Sequence, residues 1–246
     1  MQKPVVHLYT LCYNEQEILP FFLQHYLPWV EKIVVLDNNS TDKSRELLAA
    51  HQNVLVRTYD TGNEYREDIQ MNLRNTMWHQ SRGIADFVIV CDMDEFLYVK
   101  DHPVFLGHLK KQGFSVVRPQ GFDMVSDCFP TGGVPLTKQV KVGVPNDQFS
   151  KMVLFDPLKI DRINFFPGSH FALPEGQVRI YMGDPKVKLL HYRYLGLEHI
   201  LRKNNSRHVR RGQVSRKYGW GYHYSYKAQK QEQILENMLA KSSEVI

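Results

Sequence analysis

Apolar runs with the character of strands alternate with amphipathic segments along the first part of the chain. The runs rich in Val, Ile, Leu and aromatic residues predict strands at 5–13, 32–40, 53–60 and 85–92. Helices are predicted between them, near Pro20, over 41–51 and over 64–82. These repeated βα steps predict an α/β fold in which a mostly parallel central sheet carries helices on both faces.

The second half of the chain has a less regular pattern. Strands are predicted over 114–123, 151–156 and 187–195, and a helix is predicted over 225–241. Residues 124–150 are rich in Gly, Pro and polar side chains, which is typical of a loop. We therefore expect this loop to cover a site that the first half of the chain forms.

Polar residues follow each of the predicted strands of the first half. They are Asn14-Glu15, Asp37-Asn38-Asn39-Ser40, Asp60 and Asp92-Met93-Asp94. Parallel sheets bind ligands at the carboxyl ends of their strands, where these residues would come together. The topology therefore predicts a functional site at this edge of the sheet.

The composition of the 246 residues is that of an ordinary globular protein, with 43% hydrophobic and 23% charged side chains. No apolar run in the sequence approaches the roughly 20 residues that span a bilayer. The beginning of the chain has no small-residue cleavage site, and the three scattered cysteines lack CxxC spacing. We therefore expect a cytoplasmic protein without disulfides or a zinc site.

Positive charge is concentrated near the C-terminus, although the net formal charge of the chain is only +5. Residues 201–230 contain nine Lys or Arg and no Asp or Glu. Aromatic residues are interleaved with these bases, at Tyr218, Trp220, Tyr222, Tyr224 and Tyr226. Such a segment could bind nucleic acid, lie on an anionic membrane, or close over a diphosphate and hold a sugar. No nucleic-acid motif is present, which favours the last two interpretations.

Asp92 and Asp94 form a D-x-D sequence directly after a predicted buried strand. Alternate side chains of an extended segment lie on the same side, so both carboxylates point one way and Met93 the other. Such a pair suits a hard divalent cation that keeps positions open for phosphate oxygens. The alternative is a solvated loop in which Asp94 caps a helix.

Ordered motifs over residues 5–100 resemble family 2-type glycosyltransferases, which have the GT-A (Rossmann-like) fold. The motifs are Tyr13-Asn14-Glu15, Asp37-x-x-Ser40-x-Asp42, Leu73-Arg74-Asn75 and Asp92-Met93-Asp94. Glu95-Phe96, which follows the last motif, is similar to a subgroup whose members read DxDEF. The resemblance implies transfer of a sugar from a nucleotide-sugar donor, usually a UDP-sugar.

The resemblance also implies which residues bind the donor. Asp37 would hold the nucleoside, Asp60 would contact the base, and Asp92 would reach the ribose or the metal. The sequence D-N-N-S is also strong turn chemistry, so a turn role for Asp37 is compatible with this. The full expected donor-binding set is Thr10, Cys12, Tyr13, Asn14, Glu15, Asp37, Asn39, Asp60, Arg74, Asp92, Met93 and Lys151.

Asp92 and Asp94 would hold the metal, and the resemblance implies a late histidine as a further ligand. His191 follows an apolar run, whereas His170 is flanked by turn residues. We prefer His191, because the end of a strand fixes a ligand better than a loop does. His170 would then be a catalytic candidate that faces the donor phosphate or the acceptor. An imidazole ligand favours manganese over magnesium.

No spacing singles out the base that would deprotonate an acceptor hydroxyl. The candidates are Asp123, Asp127, Asp147 and Glu175, so the stereochemistry of transfer stays open. We predict a nucleotide-sugar-binding half over 1–110, an acceptor and metal-completing half of the same domain over 111–200, and a basic aromatic tail over 201–246.

The expected partners are a nucleotide-sugar and a saccharide acceptor, which could be lipid-linked. A peripheral contact with the anionic inner face of a membrane would fit such an acceptor. A metal-dependent phosphohydrolase and a nucleic-acid-binding protein acting through the tail are the alternatives. Phosphohydrolases with a D-x-D carry it on an early strand, whereas here it begins at residue 92.

Overall fold

The computed structural model describes residues 3–246, and their first part alternates strands and helices. The elements are β1 Val6–Cys12, α1 Leu19–Tyr26, β2 Lys32–Asp37, α2 Ser44–Ala49, β3 Val54–Thr58, α3 Glu67–Thr76 and β4 Phe87–Val90. The predicted βα alternation is confirmed. Helix α3 is shorter than the predicted span of 64–82, and a 3₁₀ turn, His79–Ser81, separates it from β4.

The second part contains shorter strands and more helices than the pattern indicates. The elements are β5 Glu95–Tyr98, α4 His102–Gln112, β6 Val116–Arg118, β7 Gln120–Ser126, α5 Leu136–Gln139, β8 Val142–Pro145, β9 Leu154–Phe155, β10 Ile160–Arg162, β11 Glu175–Gly176, β12 Ile180–Met182, β13 Lys188–Leu195, α6 Leu197–Val209, α7 Gln213–Lys217, α8 Ala228–Lys241 and β14 Ser243–Glu244. Further 3₁₀ turns lie at Asp147–Phe149, Pro167–Ser169 and Tyr222–Ser225.

The central sheet has seven strands in the order β12-β6-β9-β4-β1-β2-β3. Strands β4, β1, β2 and β3 are parallel to one another, as is β12 to β6, and only β9 runs against the two strands beside it, β4 and β6. The prediction of an α/β fold with a mostly parallel central sheet is therefore confirmed. A five-stranded sheet, β14-β8-β7-β13-β5, and the hairpin β10-β11 complete the structure.

Strand register brings the polar strand ends of the first half to one edge. Cys12 at the end of β1 lies beside Asp37 at the end of β2, and Tyr9 lies beside Val90 at the end of β4. Strands β1 and β4 are almost entirely buried, because the sheet is covered on both faces. Covering of this kind explains why both strands appear in the sequence as continuous apolar runs.

Helix α1 fixes the segment that follows the D-x-D sequence. The hydroxyl of Tyr26 donates a hydrogen bond to the Glu95 carbonyl at 2.8 Å and accepts one from the Leu97 N–H at 2.8 Å. The ring of Phe96, fully buried, lies edge-on to that of Tyr192 at 5.0 Å between centroids. Strand β5 is thereby held between α1 and β13, and the turn before it has a defined position.

Several second-half expectations need correction. Residues 124–150 are not one loop, because the end of β7, α5 and β8 lie within them. The patterns also do not indicate α4, although Asp101 caps it by accepting a hydrogen bond from the Val104 N–H at 3.0 Å. Gly113 ends this helix with a φ of 76°. No helix within residues 3–246 is both long and apolar enough to cross a membrane.

Candidate active site

A cavity of about 460 Å³ lies at the carboxyl ends of β1 and β4. The turn after β1, the D-x-D turn after β4, the inner side of α3, strand β13 and helix α6 all contribute to its wall. It coincides with the edge at which the sequence predicts a ligand site. Two groups of charged side chains lie in its wall, one around Asp92 and one around Asp94.

Asp92 is held by buried cations of the protein. The guanidinium of Arg74 donates to its Oδ1 at 2.8 Å, and the Lys151 ammonium lies 3.8 Å from its Oδ2. The same ammonium lies 2.5 Å from Glu95, and Arg74 also contacts Glu67 at 3.4 Å. Burial alone would raise the pKa of Asp92, but Arg74 and Lys151 outweigh it and hold this pKa well below its usual range. Asp92 is therefore ionised and already paired.

Asp94 faces the other side of the turn, toward β13 and α6. Its Oδ1 lies 3.9 Å from His191 Nε2, and its Oδ2 lies 3.4 Å from the Lys203 ammonium. Lys203 also bonds both carboxylate oxygens of Glu15, at 2.7 and 2.8 Å. Burial alone would raise the pKa of Asp94, but Lys203 and His191 outweigh it and keep this pKa below its usual range.

His191 is oriented by a buried carboxylate on the neighbouring strand. Its Nδ1 lies 2.7 Å from Oδ1 of Asp123, whose Oδ2 accepts a hydrogen bond from the Asn146 amide at 2.7 Å. The Phe149 ring stacks on the imidazole at 3.8 Å between centroids. A carboxylate that accepts from one ring nitrogen fixes the tautomer and leaves the other nitrogen free to bind a metal. Nε2 of His191 is that free nitrogen, and it faces Asp94.

These donors fit a divalent metal, although differently from the prediction. No group of three or more His, Cys, Asp or Glu side chains among residues 3–246 is arranged to hold a metal ion. Asp94 and His191 face each other across 3.9 Å, whereas Asp92 is occupied by Arg74 and Lys151. Two protein ligands with open positions suit a cation that also binds phosphate oxygens. A carboxylate and an imidazole together suit manganese.

Substitution of Asp123 by asparagine is expected to weaken metal binding at this site about 10–100-fold. The asparagine side chain has nearly the same shape as the aspartate but carries no charge. It would therefore no longer hold His191 in one tautomer through a charged hydrogen bond. Titration of the protein with Mn²⁺ in the presence of UDP, followed by calorimetry, measures the effect. Asp127→Asn is the matched control, since Asp127 is exposed just beyond the same strand. Equal affinities of the two variants would contradict this orienting role.

Several of the expected donor residues do line the cavity. They are Cys12, Tyr13, Asn14, Glu15, Arg74, Asp92, Met93 and Lys151. Met93 is nevertheless almost fully buried in the core. The expected extended alternation is not found, because Met93 and Asp94 form a turn and the carboxylates of Asp92 and Asp94 face different groups. Lys151 does not project freely toward a ligand, because Glu95 holds its ammonium.

The other four expected donor residues are not brought to the cavity wall. Thr10 is fully buried within β1. Asp37 is also fully buried, and its Oδ2 accepts a hydrogen bond from the Ser40 N–H at 3.0 Å, as a turn residue does. Asn39 is exposed with a φ of 54°, and Asp60 is exposed and accepts a hydrogen bond from a turn N–H at 2.8 Å.

The expected base candidates also lie away from the cavity wall. Asp123 is buried behind His191 and Asn146, and Asp127 is exposed in the loop after β7. Asp147 accepts a hydrogen bond from the Ser150 hydroxyl at 3.2 Å. Glu175, on the hairpin, lies 3.8 Å from the guanidinium of Arg162. Among the catalytic candidates, His170 does line the cavity.

The cavity is lined by Arg202, Lys203 and Arg207 of α6 and by Arg210, which directly follows this helix, and none of them was singled out from the sequence. The Arg210 guanidinium lies over the Tyr13 ring, 3.2 Å from its centroid, and Arg207 donates to the Tyr224 hydroxyl at 3.2 Å. The spacing of Lys203, Arg207 and Arg210, four and then three residues, puts them on one face of a helix. That spacing is the sequence signal that could have identified them.

Comparison with protein-family models finds no match for this chain, and comparison with curated proteins finds none either. Solved structures do match. Staphylococcus aureus TarS is 14% identical, with 96% of this chain and 43% of that chain covered and a TM-score of 0.47.

A second match is glucosyl-3-phosphoglycerate synthase from Mycobacterium tuberculosis in complex with Mn²⁺, UDP and glucosyl-3-phosphoglycerate. It is 20% identical, with 49% of this chain and 44% of that chain covered and a TM-score of 0.30. The matched region thus covers less than half of either protein. The DxDEF subgroup stays a prediction.

Proposed function

We propose that this chain is a metal-assisted glycosyltransferase that takes a sugar from a nucleotide-sugar donor, a UDP-sugar, and transfers it to a saccharide acceptor. One observation carries the proposal. Asp94 and the free Nε2 of His191 face each other at the ligand edge of a parallel sheet, in a cavity that four cations of α6 and its C-terminal end also line. This arrangement offers a site for a divalent cation beside positive charges for a diphosphate.

Asp94 and His191 would hold the metal, which when bound would supply a Lewis acid for the charge of the leaving nucleoside diphosphate. Lys203 and Arg207 would contact the phosphates, since both are cationic and line the same cavity. Tyr13 offers an aromatic face to the base at the position that Arg210 now covers. Asp92 would hold the cationic side chains of Arg74 and Lys151 in position at the cavity wall.

The matched mycobacterial synthase supports the choice of manganese and UDP. Its structures contain Mn²⁺ with UDP, and in another complex Mn²⁺ with UDP-glucose. We infer the same metal and nucleotide for this chain, with manganese ahead of magnesium because of the imidazole ligand. The identity of the sugar is not part of the proposal.

The orientation of α6 favours a ligand in the cavity over an extended nucleic acid. Four of the nine basic residues of 201–230 line the cavity, namely Arg202, Lys203, Arg207 and Arg210. Residues 201–246 form helices packed on β7, β8 and β13, which supports a part in donor or acceptor binding. The division at residues 110 and 200, a lipid-linked acceptor and a membrane contact stay predictions.

A thermal-shift screen with and without Mn²⁺ tests the proposed function. The ligands are UDP-glucose, UDP-galactose, UDP-N-acetylglucosamine, GDP-mannose and dTDP-glucose. At a ligand concentration about 100 times Kd, a UDP-sugar should raise Tm by roughly 5–10 °C, and only when Mn²⁺ is present. UMP is the control, because it lacks the second phosphate. A shift that UMP reproduces, or that Mn²⁺ does not change, would refute the proposal.

A further inference from the structure

Sugar transfer by direct displacement needs a base at the acceptor side of the cavity, and the carboxylates are poorly placed for it. Those that line the cavity within residues 3–246 are Glu15, Glu17, Asp42, Glu67, Asp92 and Asp94. All of them come from the donor-binding half, and Glu15, Asp92 and Asp94 are already bonded to or face buried cations. His170, from the second half, lines the same cavity, and its Nδ1 lies against a backbone carbonyl, not a carboxylate.

The imidazole of His170 has a defined position. Its Nδ1 lies 3.0 Å from the Gln148 carbonyl oxygen, and its ring sits edge-on to Phe149 at 5.0 Å between centroids. The Phe149 ring also stacks on the imidazole of His191, at 3.8 Å between centroids, and this second contact holds the ring in place. Phe149 therefore places His170 next to the pair formed by His191 and Asp94.

Gly168 keeps the second ring nitrogen of His170 accessible. A β-carbon at residue 168 would lie 2.9 Å from Nε2 of His170, and Gly168 has a φ of 74°. Any larger residue would therefore both strain the backbone and crowd Nε2. Gly168 also lines the cavity, so the space that its missing side chain leaves beside Nε2 belongs to the cavity.

Two side chains of α3 anchor the loop that carries His170. The Asn75 amide accepts a hydrogen bond from the Phe165 N–H at 2.7 Å and donates one to the Phe165 carbonyl at 3.1 Å. Glu67 accepts a hydrogen bond from the Gly168 N–H at 2.7 Å. The loop is thereby fixed at two points, both just before His170, to the helix that also supplies Arg74. A reacting group needs this kind of support to keep its geometry.

The chemistry of the ring suits proton removal better than phosphate binding. A carbonyl oxygen can only accept, so Nδ1 carries the proton of the neutral ring and Nε2 keeps its lone pair. Burial of part of the ring, and then the charge of Lys151, lower the pKa of His170 to about 4. At neutral pH the imidazole is therefore uncharged. Its pKa is close to that of an ordinary Asp or Glu side chain, so its strength as a base is similar to theirs.

We propose that Nε2 of His170 is the general base that takes the proton of the acceptor hydroxyl. As the proton moves to Nε2, the acceptor oxygen forms its bond to the anomeric carbon. The bond from that carbon to the phosphate oxygen breaks, its electron pair leaves with the nucleoside diphosphate, and the proton later passes to water. A single displacement of this kind inverts the anomeric centre. The inference rests on the proposed function, which it extends by naming the base and the stereochemical outcome.

Replacement of His170 by alanine, with water and azide compared as acceptors, tests this role. The donors are UDP-glucose, UDP-galactose and UDP-N-acetylglucosamine with Mn²⁺, and the rate of UDP release is measured. With water, His170→Ala should be slower than wild type by about 100-fold or more, because water must lose a proton. With azide, which has no proton to lose, the variant should recover to within a few-fold of the wild-type rate.

Two further measurements separate catalysis from binding and folding. The affinity for UDP with Mn²⁺ should stay within about twofold of wild type in both His170→Ala and His170→Gln, which also verifies the fold. His208→Gln is the control, since His208 is exposed on α6 and does not line the cavity. The glycosyl azide formed by the wild type should have the inverted configuration by NMR.

Any one of the following three results would by itself overturn the role of His170, and a fourth concerns azide. They are an unchanged rate with water, a loss of UDP affinity that accounts for the whole decrease, and a product with retained configuration. A defect in His170→Ala that azide leaves as large as water does would also overturn it, because removal of a base predicts recovery. A wild-type protein that binds none of the UDP-sugars would instead refute the proposed function, and this inference with it.

Discussion

Replacement of Asp94 by asparagine is expected to abolish the manganese-dependent binding of UDP and to lower sugar transfer at least about 1,000-fold. The substitution removes the one carboxylate that faces Nε2 of His191, at 3.9 Å, while it keeps nearly the same shape. An amide is a much weaker ligand for a hard divalent cation than a carboxylate. Calorimetric titration with UDP, with and without Mn²⁺, measures the binding, and UDP release from a UDP-sugar measures the rate.

Asp42→Asn is the matched control for the Asp94 experiment. Asp42 also lines the cavity, but its carboxylate accepts hydrogen bonds from the backbone N–H groups of Gln16 and Ser44 at 3.0 and 2.9 Å. Loss of its charge should therefore leave the affinity for Mn²⁺ with UDP within a few-fold of wild type. If Asp94→Asn kept a normal manganese-dependent affinity, the metal would have to bind elsewhere, and the assignment of Asp94 would be wrong.

The first half of the fold could be predicted from the sequence because its signals are local. Strands β1 and β4 are buried on both faces, so their apolar runs are continuous, and each is followed by residues that stop a strand. Asp92 and Asp94 lie just after β4, and two carboxylates so close to the end of a buried run need compensating charge. The sequence therefore indicates where the site lies and that cations must be present.

The partners of these carboxylates could not be predicted, because they come from distant parts of the chain. His191 lies beside Asp123 only through the parallel pairing of β13 with β7, and nothing near either residue specifies that register. Lys203 reaches Asp94 from α6, 109 residues further along the chain. The short strands β11 and β14, each of two residues, give no periodic signal at all. Tertiary packing, not local pattern, decides these contacts.

Replacement of Arg74 by methionine is expected to destabilise the protein by about 3–5 kcal/mol. Arg74 is buried and bonds Asp92 at 2.8 Å and Glu67 at 3.4 Å, so the change leaves the buried carboxylate of Glu67 and the half-buried one of Asp92 without their main counter-charge. Methionine has a similar length and fills the space, which limits the effect of a cavity. The free energy of unfolding, measured by urea denaturation at pH 7, gives the magnitude.

The matched control is Arg66→Met, because Arg66 precedes the same helix and pairs with Asp68 at 2.6 Å near the surface. A surface pair of this kind contributes at most about 1 kcal/mol.

The pH dependence of stability gives a second check on the role of Arg74. Arg74 lowers the folded pKa of Asp92 below its unfolded value of about 3.9, so its stabilisation is present above that pH and is lost as the pH falls. The difference between wild type and Arg74→Met should therefore shrink on acidification below about pH 4. Equal losses for the Arg66 and Arg74 variants would show that the Asp92 cluster does not depend on Arg74 for its stability, and that Lys151 alone compensates it.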